Sequence, residues 1–232
     1  MKTETNRGIV ADVGLVADKS FMITISEEVL LLILHYDNGC ANYDLSPRTV
    51  RGMMAGAILL DLCEQNRIKI DNGSLVIINP ATTGYPFLDR ALSWIGKNAI
   101  RHNVDDWIGR LFAEADAIQR ELSGLLVERG ILVHRSGGRY FVMGSRHFVS
   151  SNGVHFRDIR RRIAGILLCE ETPSVRDMMI INLTSVYGLW NDLVDDSVMN
   201  VMTPRIEDIA RVDMTGRSVA DLIRADLQLR DQ

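Results

Sequence analysis

The segment from Ile23 to Leu34, ITISEEVLLLIL, places two acidic residues directly before six apolar ones. A membrane span needs ~20 apolar residues, and polar residues follow Leu34 at once. Thr24 and Glu27 have the spacing of a capping box, in which each side chain bonds the backbone N–H group of the other residue. Together with the stop signal Asn38-Gly39, this spacing predicts a short helix. A helix that is apolar on nearly all sides is buried, so we expect this one in the core.

The rest of the chain has the composition of a globular protein, since 47% of its 232 residues are hydrophobic and 24% are charged. No apolar run is long enough to span a membrane, and the first residues, MKTETNRGIV, lack the apolar region of a signal peptide. Cys40, Cys63 and Cys169 are far apart and form no paired motif, so neither a disulfide framework nor a zinc site is predicted. We expect buried thiols, a cytoplasmic location, and no metal or cofactor.

Helix and hairpin signals alternate along the chain. Ser46-Pro47 has the features of an N-cap and first helical residue, and apolar residues recur at helical spacing from Val50 to Leu62. Two strand-like runs then flank Asp71-Asn72-Gly73, which favours a tight hairpin turn. The helical segment AIQRELSGLLVERG and a hairpin about Ser136-Gly137-Gly138 repeat this plan later in the chain.

Further helices are predicted around these units. PFLDRALSWIGKN and VDDWIGRLFAEA are amphipathic, and FRDIRRRIAGILLCEE carries an apolar stripe opposite its arginines. Thr172-Pro173 opens a largely buried helix that extends through VDD, and the C-terminal segment predicts two helices broken near Thr215-Gly216. The predicted fold class is mostly α: a single helical domain around a central helix bundle with small β-hairpins.

Charge is distributed unevenly along the chain, whose formal net charge is −4. Residues 129–162 contain eight arginines and one acid, Asp158, for a net charge of +7. The flanking segments are acidic, with −5 for residues 1–128 and −6 for residues 163–232. Because like charges repel unless an anion answers them, we expect this basic segment to contact an anionic partner.

Two other classes of function match parts of the sequence. On one helix, Asp192, Asp195 and Asp196 would share a face, where Mg²⁺ could bridge them to a diphosphate, but such enzymes need a second acidic motif facing the first. The alternative is a solvated acidic helix end, and we expect no catalytic site. A helix followed by a basic hairpin also resembles a DNA-binding winged helix. The helix before the hairpin, EADAIQRELSGLL, is acidic, so we expect no binding to nucleic acid.

Five segments and a basic hairpin follow one another in an order and spacing that resemble the Golgi phosphoprotein 3 family. The segments are ITISEEVLLLIL, GAILLDLCEQNRIKI, TTGYPFLDRAL, DDWIGRL and LLVERGIL. CEETPSVRDMMIINL also fits, and the resemblance runs from about Ile23 to Asp196. It implies one mostly helical domain with a protruding β-hairpin, here residues 21–232 after an N-terminal extension of residues 1–20.

The resemblance also implies a function. Eukaryotic members of this family are not enzymes; they are peripheral membrane proteins that recognise phosphatidylinositol 4-phosphate on Golgi membranes and hold glycosyltransferases there by their cytoplasmic tails. Their headgroup pocket uses one Trp and three Arg, and none is present at the matching positions, which are Ser46, Ala55, Asp116 and Gln119. Specificity for this lipid is therefore not carried over, although basic and aromatic residues lie close to those positions.

We therefore expect a non-catalytic, cytoplasmic protein that associates reversibly with anionic membrane lipid through a basic surface beside a β-hairpin. The alternative is a soluble adaptor that docks acidic partner proteins, or a second copy of itself, without lipid. The predicted lipid-binding residues are Tyr43, Arg48, Arg51, Arg120, Arg135, Arg139, Arg146, Arg157, Arg160 and Arg161.

Overall fold

A computed structural model describes residues 23–34, 45–71, 74–98, 104–134, 148–150, 154–190 and 194–229. Eight helices and two antiparallel two-stranded sheets lie within these ranges, which confirms the predicted mostly helical fold class. The helices are α1 (Ile25–Ile33), α2 (Pro47–Glu64), α3 (Pro86–Asn98), α4 (Val104–Glu128), α5 (Val154–Leu168), α6 (Val175–Val186), α7 (Asp196–Val212) and α8 (Met214–Leu229). The strands are β1 (Ile68–Asp71), β2 (Ser74–Ile77), β3 (Leu132–His134) and β4 (Phe148–Ser150).

Helix α2 is the centre of the fold and packs against α1, α3, α4, α6 and α8. Ser46 is its N-cap, as predicted, and accepts a hydrogen bond from the Thr49 N–H group at 3.1 Å. Gly56 permits close packing, since a Cβ atom there would lie 2.4 Å from Leu183 Cδ1 and 2.6 Å from Ile223 Cδ1. Helix α2 is therefore surrounded by other helices along most of its length, as expected for a helix with few polar residues.

Helix α1 confirms the prediction for the opening segment. The Thr24 N–H group donates to Glu27 Oε2 at 2.7 Å, and the Glu27 N–H group donates to Thr24 Oγ1 at 3.1 Å, which completes the capping box. All nine residues of the helix are buried. These include both acidic residues of the first turn, Glu27 and Glu28, which are 0% and 5% exposed. Because buried carboxylates need partners, α1 requires cations from other elements.

Both regions predicted to form hairpins contain paired strands. β1 pairs with β2 in a register from Ile68↔Ile77 to Asp71↔Ser74, which flanks the predicted turn residues. β3 pairs with β4 in a register from Leu132↔Ser150 to His134↔Phe148. The described partner of β3 therefore comes after Arg146, rather than directly after the predicted turn at Ser136-Gly137-Gly138, which lies outside the described residues.

Several helix boundaries differ from the predictions. α4 is one helix of 25 residues where two were predicted. α6 starts after the N-cap Ser174 rather than at Thr172-Pro173, and it ends at Val186, just before Gly188 with its φ of 67°. A left-handed glycine is a common helix terminator. The predicted break near Thr215-Gly216 is confirmed, and it falls at Asp213, the C-cap of α7.

The predicted helical face shared by Asp192, Asp195 and Asp196 is wrong. Asp195 is the N-cap of α7, with an extended backbone (φ −69°, ψ 156°), and Asp196 is the first residue of that helix. A common helical face cannot continue through an extended residue, because the 3.6-residue periodicity is lost there. Asp192 itself lies outside the described residues, and among those described no group of three His, Cys, Asp or Glu side chains could hold a metal ion.

The prediction that the cysteine thiols are buried is confirmed only in part. Cys63 is partly buried, and burial raises the pKa of its thiol to about 12. Cys169 is exposed at the end of α5, so the expectation of a buried thiol is wrong there. Cys40 lies outside the described residues. None of the helices in the described ranges is long and apolar enough to cross a membrane.

Candidate functional site

Helix α5 presents arginines to solvent because its apolar residues face the core. The predicted stripe is buried, and it consists of Phe156, Ile159, Ile163, Ile166 and Leu167. Arg157, Arg160 and Arg161 are all exposed. Arg161 is 83% exposed, and its Nη1 lies 4.0 Å from Oδ1 of the exposed Asp158, which lowers the net charge of this face by one. We call these three arginines the α5 basic face.

Other arginines of the basic segment point inward instead. Arg129 Nη1 lies 2.8 Å from Oε1 of the buried Glu27. Arg162 pairs with Glu28 of α1 and with Asp177 of α6. The +7 net charge counted in the sequence therefore overstates the positive charge that reaches the surface, because these two arginines neutralise buried acids.

Arg176, on α6, completes the neutralisation of α1. Its Nε lies 2.8 Å from Glu28 Oε1, its Nη1 lies 2.8 Å from Glu64 Oε2, and its Nη2 donates to the carbonyl of Ile23. The carboxylate of Glu28 thus receives two guanidinium groups, one from α5 and one from α6. This network ties α1 to the elements around it and leaves these arginines without a charge to offer a partner.

Asp61, near the end of α2, holds the first turn of α1. Its carboxylate is fully buried and accepts hydrogen bonds from the Ile25 N–H group at 2.7 Å and the Ser26 N–H group at 2.9 Å. The Ser26 hydroxyl donates to it as well. Loss of solvation raises the pKa of Asp61 to about 7, although these hydrogen bonds favour the ionised form.

A second group of predicted residues lies between α2 and α4. Arg51 donates to Asp116 through Nε at 3.1 Å and through Nη2 at 2.7 Å, in a bidentate pair. Arg120 is exposed, and its Nε donates to the Asp116 carbonyl at 3.2 Å. Arg48 precedes Arg51 by about one turn of α2. We call Arg48, Arg51, Asp116 and Arg120 the α2–α4 rim.

The α2–α4 rim lies away from the ion network around α1. Arg51, in the first half of α2, meets Asp116 at the middle of α4, whereas Asp61 and Arg129, near the ends of the two helices, both contact the first turn of α1. Helices α2 and α4 therefore run in the same direction. At 1.5 Å per residue, Asp116 and Arg129 are ~20 Å apart along α4. Helix α5 is attached at the Arg129 end, through Arg162 and Glu28.

The sequence of the chain matches the model of one known family over most of its length. The model of the Golgi phosphoprotein 3 (GPP34) family matches residues 25–225. The chain belongs to the Golgi phosphoprotein 3 family. The match extends from the first residue of α1 into α8 and confirms the resemblance inferred from the sequence motifs. No curated protein matches the chain in sequence.

The positions that the resemblance aligns with the lipid pocket of the Golgi phosphoprotein 3 family differ in their environment. Ser46 is exposed and caps α2. Ala55 is fully buried and Gln119 is 5% exposed, while Asp116 is bonded to Arg51. An arginine at Ala55 would bring a charge into the core, which is costly without a partner. At these four positions the present chain offers no cation.

The structure brings only some of the predicted lipid-binding residues together. Arg51 and Arg120 meet at Asp116, and the α5 basic face gathers three more arginines. Tyr43, Arg135, Arg139 and Arg146 lie outside the described residues. Sequence reasoning missed the inward role of the arginines at positions 129, 162 and 176. The sequence signal for this inward role was the pair Glu27-Glu28, because two acids in a helix predicted to be buried require cations.

Proposed function

We propose that the protein is non-catalytic and associates reversibly with anionic membrane surfaces through the α5 basic face. Arg135, Arg139 and Arg146, which lie between β3 and β4 in the sequence and outside the described residues, are further candidates for contact with lipid. The observation that carries the proposal is the exposure of Arg157, Arg160 and Arg161 on a helix whose opposite side is fixed in the core. Membership in the Golgi phosphoprotein 3 family supports a peripheral membrane role.

The expected attraction is moderate. A basic residue close to an anionic leaflet contributes ~1 kcal/mol. Three arginines and the neighbouring Asp158 leave a net charge of +2, so the attraction is about 2 kcal/mol before the screening of charges by salt. An attraction of this size gives reversible binding. It also predicts that binding weakens as ionic strength rises, because the Debye length falls.

We further propose that surface charge, rather than selection of phosphatidylinositol 4-phosphate, governs this binding. Selective recognition of a phosphate needs guanidinium groups that are free to form bidentate bonds. At the α2–α4 rim, Arg51 Nε and Nη2 already donate to the carboxylate of Asp116. Vesicles that contain phosphatidylserine should therefore recruit the protein as well as vesicles of equal charge that contain phosphatidylinositol 4-phosphate.

Flotation with lipid vesicles tests the proposal. Wild-type protein should float with vesicles of phosphatidylcholine and phosphatidylserine, and not with phosphatidylcholine alone. The triple variant Arg157→Glu/Arg160→Glu/Arg161→Glu should lose this recovery. The matched control is Arg211→Glu/Arg217→Glu/Arg224→Glu, which makes the same change in net charge at exposed arginines of α7 and α8. This control should keep most of the recovery.

Two results would overturn the membrane proposal. One is equal recovery of the wild type with neutral and anionic vesicles. The other is an equal loss for the α5 variant and its control, since net charge alone would then explain the effect. Arg135→Glu/Arg139→Glu tests the contribution of the hairpin in the same assay. A basic surface also fits an acidic protein, and an acidic partner that binds through the α5 basic face in the absence of lipid would favour the adaptor.

A further inference from the structure

A cleft of about 240 Å³ opens at the opposite end of α2 from the α2–α4 rim. It lies where the start of α1, the end of α2, the loop before α3 and the start of α6 meet, and its polar lining includes Gln65, Arg67, Thr83, Tyr85 and Arg176. At ~30 Å³ per water molecule, the cleft has room for about eight waters. This volume suits a small polar ligand, since sites for drug-sized ligands begin at about 300 Å³.

Arg67 is the cation of this cleft whose charge is not neutralised. Its Nη2 donates to the Thr82 carbonyl at 2.8 Å. Its Nε is buried and has no hydrogen-bond partner. Among the residues described, no carboxylate pairs with this guanidinium, in contrast to Arg176. Buried N–H groups are nearly always hydrogen-bonded, so this unsatisfied one beside the cleft leaves the Arg67 guanidinium short of an acceptor.

The acids around the cleft already have partners of their own. Glu64 pairs with Arg176, and Asp61 accepts hydrogen bonds from the first turn of α1. The Thr83 hydroxyl donates a hydrogen bond to Asp89 Oδ1 at 2.7 Å. The missing acceptor for Arg67 must therefore come from outside this set. Tyr85 and Gln65 add a hydroxyl and a carboxamide to the same lining.

We propose that this cleft binds a compact oxyanion, a carboxylate or a phosphate monoester, with Arg67 as its main ligand. A guanidinium group matches the geometry of both anions, because it can donate two parallel N–H bonds to two oxygens. Tyr85 and Gln65 donate to the remaining oxygens. The anion can be a soluble small molecule or the phosphorylated headgroup of a lipid, since both present the same chemistry to Arg67.

Thermal unfolding with inorganic phosphate tests this proposal, with sodium chloride at equal ionic strength as the reference. A ligand that binds only the folded state raises the melting temperature with its concentration. Wild-type protein should show a saturable rise of several degrees. Arg67→Gln, which removes the cation and keeps a polar side chain, should abolish the rise. The control Arg211→Gln, at an exposed arginine of α7, should keep it. Acetate in place of phosphate tests the carboxylate.

The proposal is overturned if neither anion stabilises the wild type beyond chloride, or if a folded Arg67→Gln variant responds as the wild type does. Should Arg67→Gln fail to fold, Tyr85→Phe replaces it. This variant removes one hydroxyl and should weaken phosphate binding several-fold, measured by broadening of the phosphorus NMR signal of phosphate. Unchanged broadening with Tyr85→Phe would then count against the site.

Vesicles separate the two sources of the anion. A lipid headgroup is the source if Arg67→Gln lowers flotation with phosphatidylinositol 4-phosphate and leaves flotation with phosphatidylserine unchanged. A soluble anion is the source if phosphate stabilises the protein and neither flotation changes. This site is independent of the α5 basic face, so the α5 triple variant should retain the full stabilisation by phosphate.

Discussion

The guanidinium of Arg129 lies 2.8 Å from the carboxylate of Glu27, a residue with no exposed surface that is 102 positions away in the chain. Arg162 and Arg176 meet Glu28 in the same way. Three arginines from beyond α4, from α5 and from α6 thus converge on one turn of α1. The basic residues of the chain therefore have two separate roles: some neutralise a buried acidic helix, and others face solvent.

Removal of Arg129 should cost much more stability than removal of any exposed arginine. Arg129→Ala leaves a fully buried carboxylate without its cation, which typically costs about 3 kcal/mol or more. Arg161→Ala, at an arginine that is 83% exposed, should cost less than about 0.5 kcal/mol. Urea denaturation of both variants measures the difference. Equal losses of stability would contradict the role given to Arg129.

Asp61 should give the protein a pH-dependent stability that Asp61→Asn lacks. Burial raises the pKa of this carboxyl to about 7 from its ordinary 3.8, so the folded state binds more protons than the unfolded state between these values. The stabilisation linked to this proton is fully present below about pH 4 and is lost as the pH rises through 7. Asp61→Asn should be less stable throughout, because an amide NH₂ group would face hydrogen-bond donors.

The stability gap between the wild type and Asp61→Asn should therefore narrow by about 2.5 kcal/mol from about pH 5 to about pH 8. Urea denaturation across this range measures the gap. Because the other titratable groups are the same in both proteins, their contributions to the pH dependence cancel in this difference. Asp208→Asn, at an exposed residue of α7, is the control and should show a nearly constant gap. A gap that stays constant from about pH 5 to about pH 8 would show that the hydrogen bonds to Asp61 outweigh its burial and keep its pKa below this range.

The sequence predicted the local features of this fold well, because their causes lie within a few residues. The capping box of Thr24 and Glu27, the cap at Ser46 and the strands around Asn72-Gly73 all follow from short-range hydrogen bonds and backbone preferences. The apolar stripe of α5 also followed from its periodicity. This periodicity correctly predicted that Arg157, Arg160 and Arg161 lie on the exposed side of α5.

The long-range pairings were not predictable in the same way. The sequence does not show that Arg129 would turn toward Glu27, because this contact depends on how α1 docks against the end of α4. A count of charges along the sequence does not show that Arg129 and Glu27 neutralise each other inside the protein. The Asp195 error has a local cause: Asp is a favoured N-cap residue, and Asp195, predicted to lie inside one helix, caps the start of the next. Arg67 escaped notice because its importance depends on which neighbours already have partners.

Two glycines in helices should respond in opposite directions to alanine. At Gly56, the new Cβ atom would lie 2.4 Å from a methyl carbon of Leu183 and 2.6 Å from one of Ile223, and both side chains are fully buried. Overpacking of this kind costs ~1–3 kcal/mol. At Gly124 of α4, no atom lies within 4 Å of the new Cβ atom apart from the adjoining residues and nearby backbone of the helix itself. Gly124→Ala should therefore stabilise the protein by up to ~1 kcal/mol through helix propensity.

Thermal or urea denaturation of Gly56→Ala and Gly124→Ala checks this contrast. The two substitutions are chemically identical, so the difference between them reports the packing around α2. If Gly56→Ala were as stable as Gly124→Ala, Leu183 and Ile223 would have enough freedom to move aside. The close packing of α2 against α6 and α8 would then not depend on this glycine.

Release of Arg51 from Asp116 should strengthen binding to anionic vesicles. Asp116→Asn removes the carboxylate that now occupies both donors of the Arg51 fork, and it raises the net charge of the α2–α4 rim by one. The fold should tolerate the change, because the two side chains are 37% and 38% exposed and such pairs typically contribute ~0–1 kcal/mol. Flotation of Asp116→Asn should increase with vesicles that contain phosphatidylinositol 4-phosphate.

Glu121→Gln is the matched control for this prediction. It frees Arg90 from a similar partly exposed pair that joins α3 to α4, with side chains 43% and 28% exposed, and it makes the same change in net charge. A larger gain for Asp116→Asn than for Glu121→Gln would assign the effect to the α2–α4 rim. Equal gains would mean that total charge alone controls binding, and Asp116 would then have no special influence on Arg51. Because both variants keep every arginine of the α5 basic face, neither result depends on a loss of that surface.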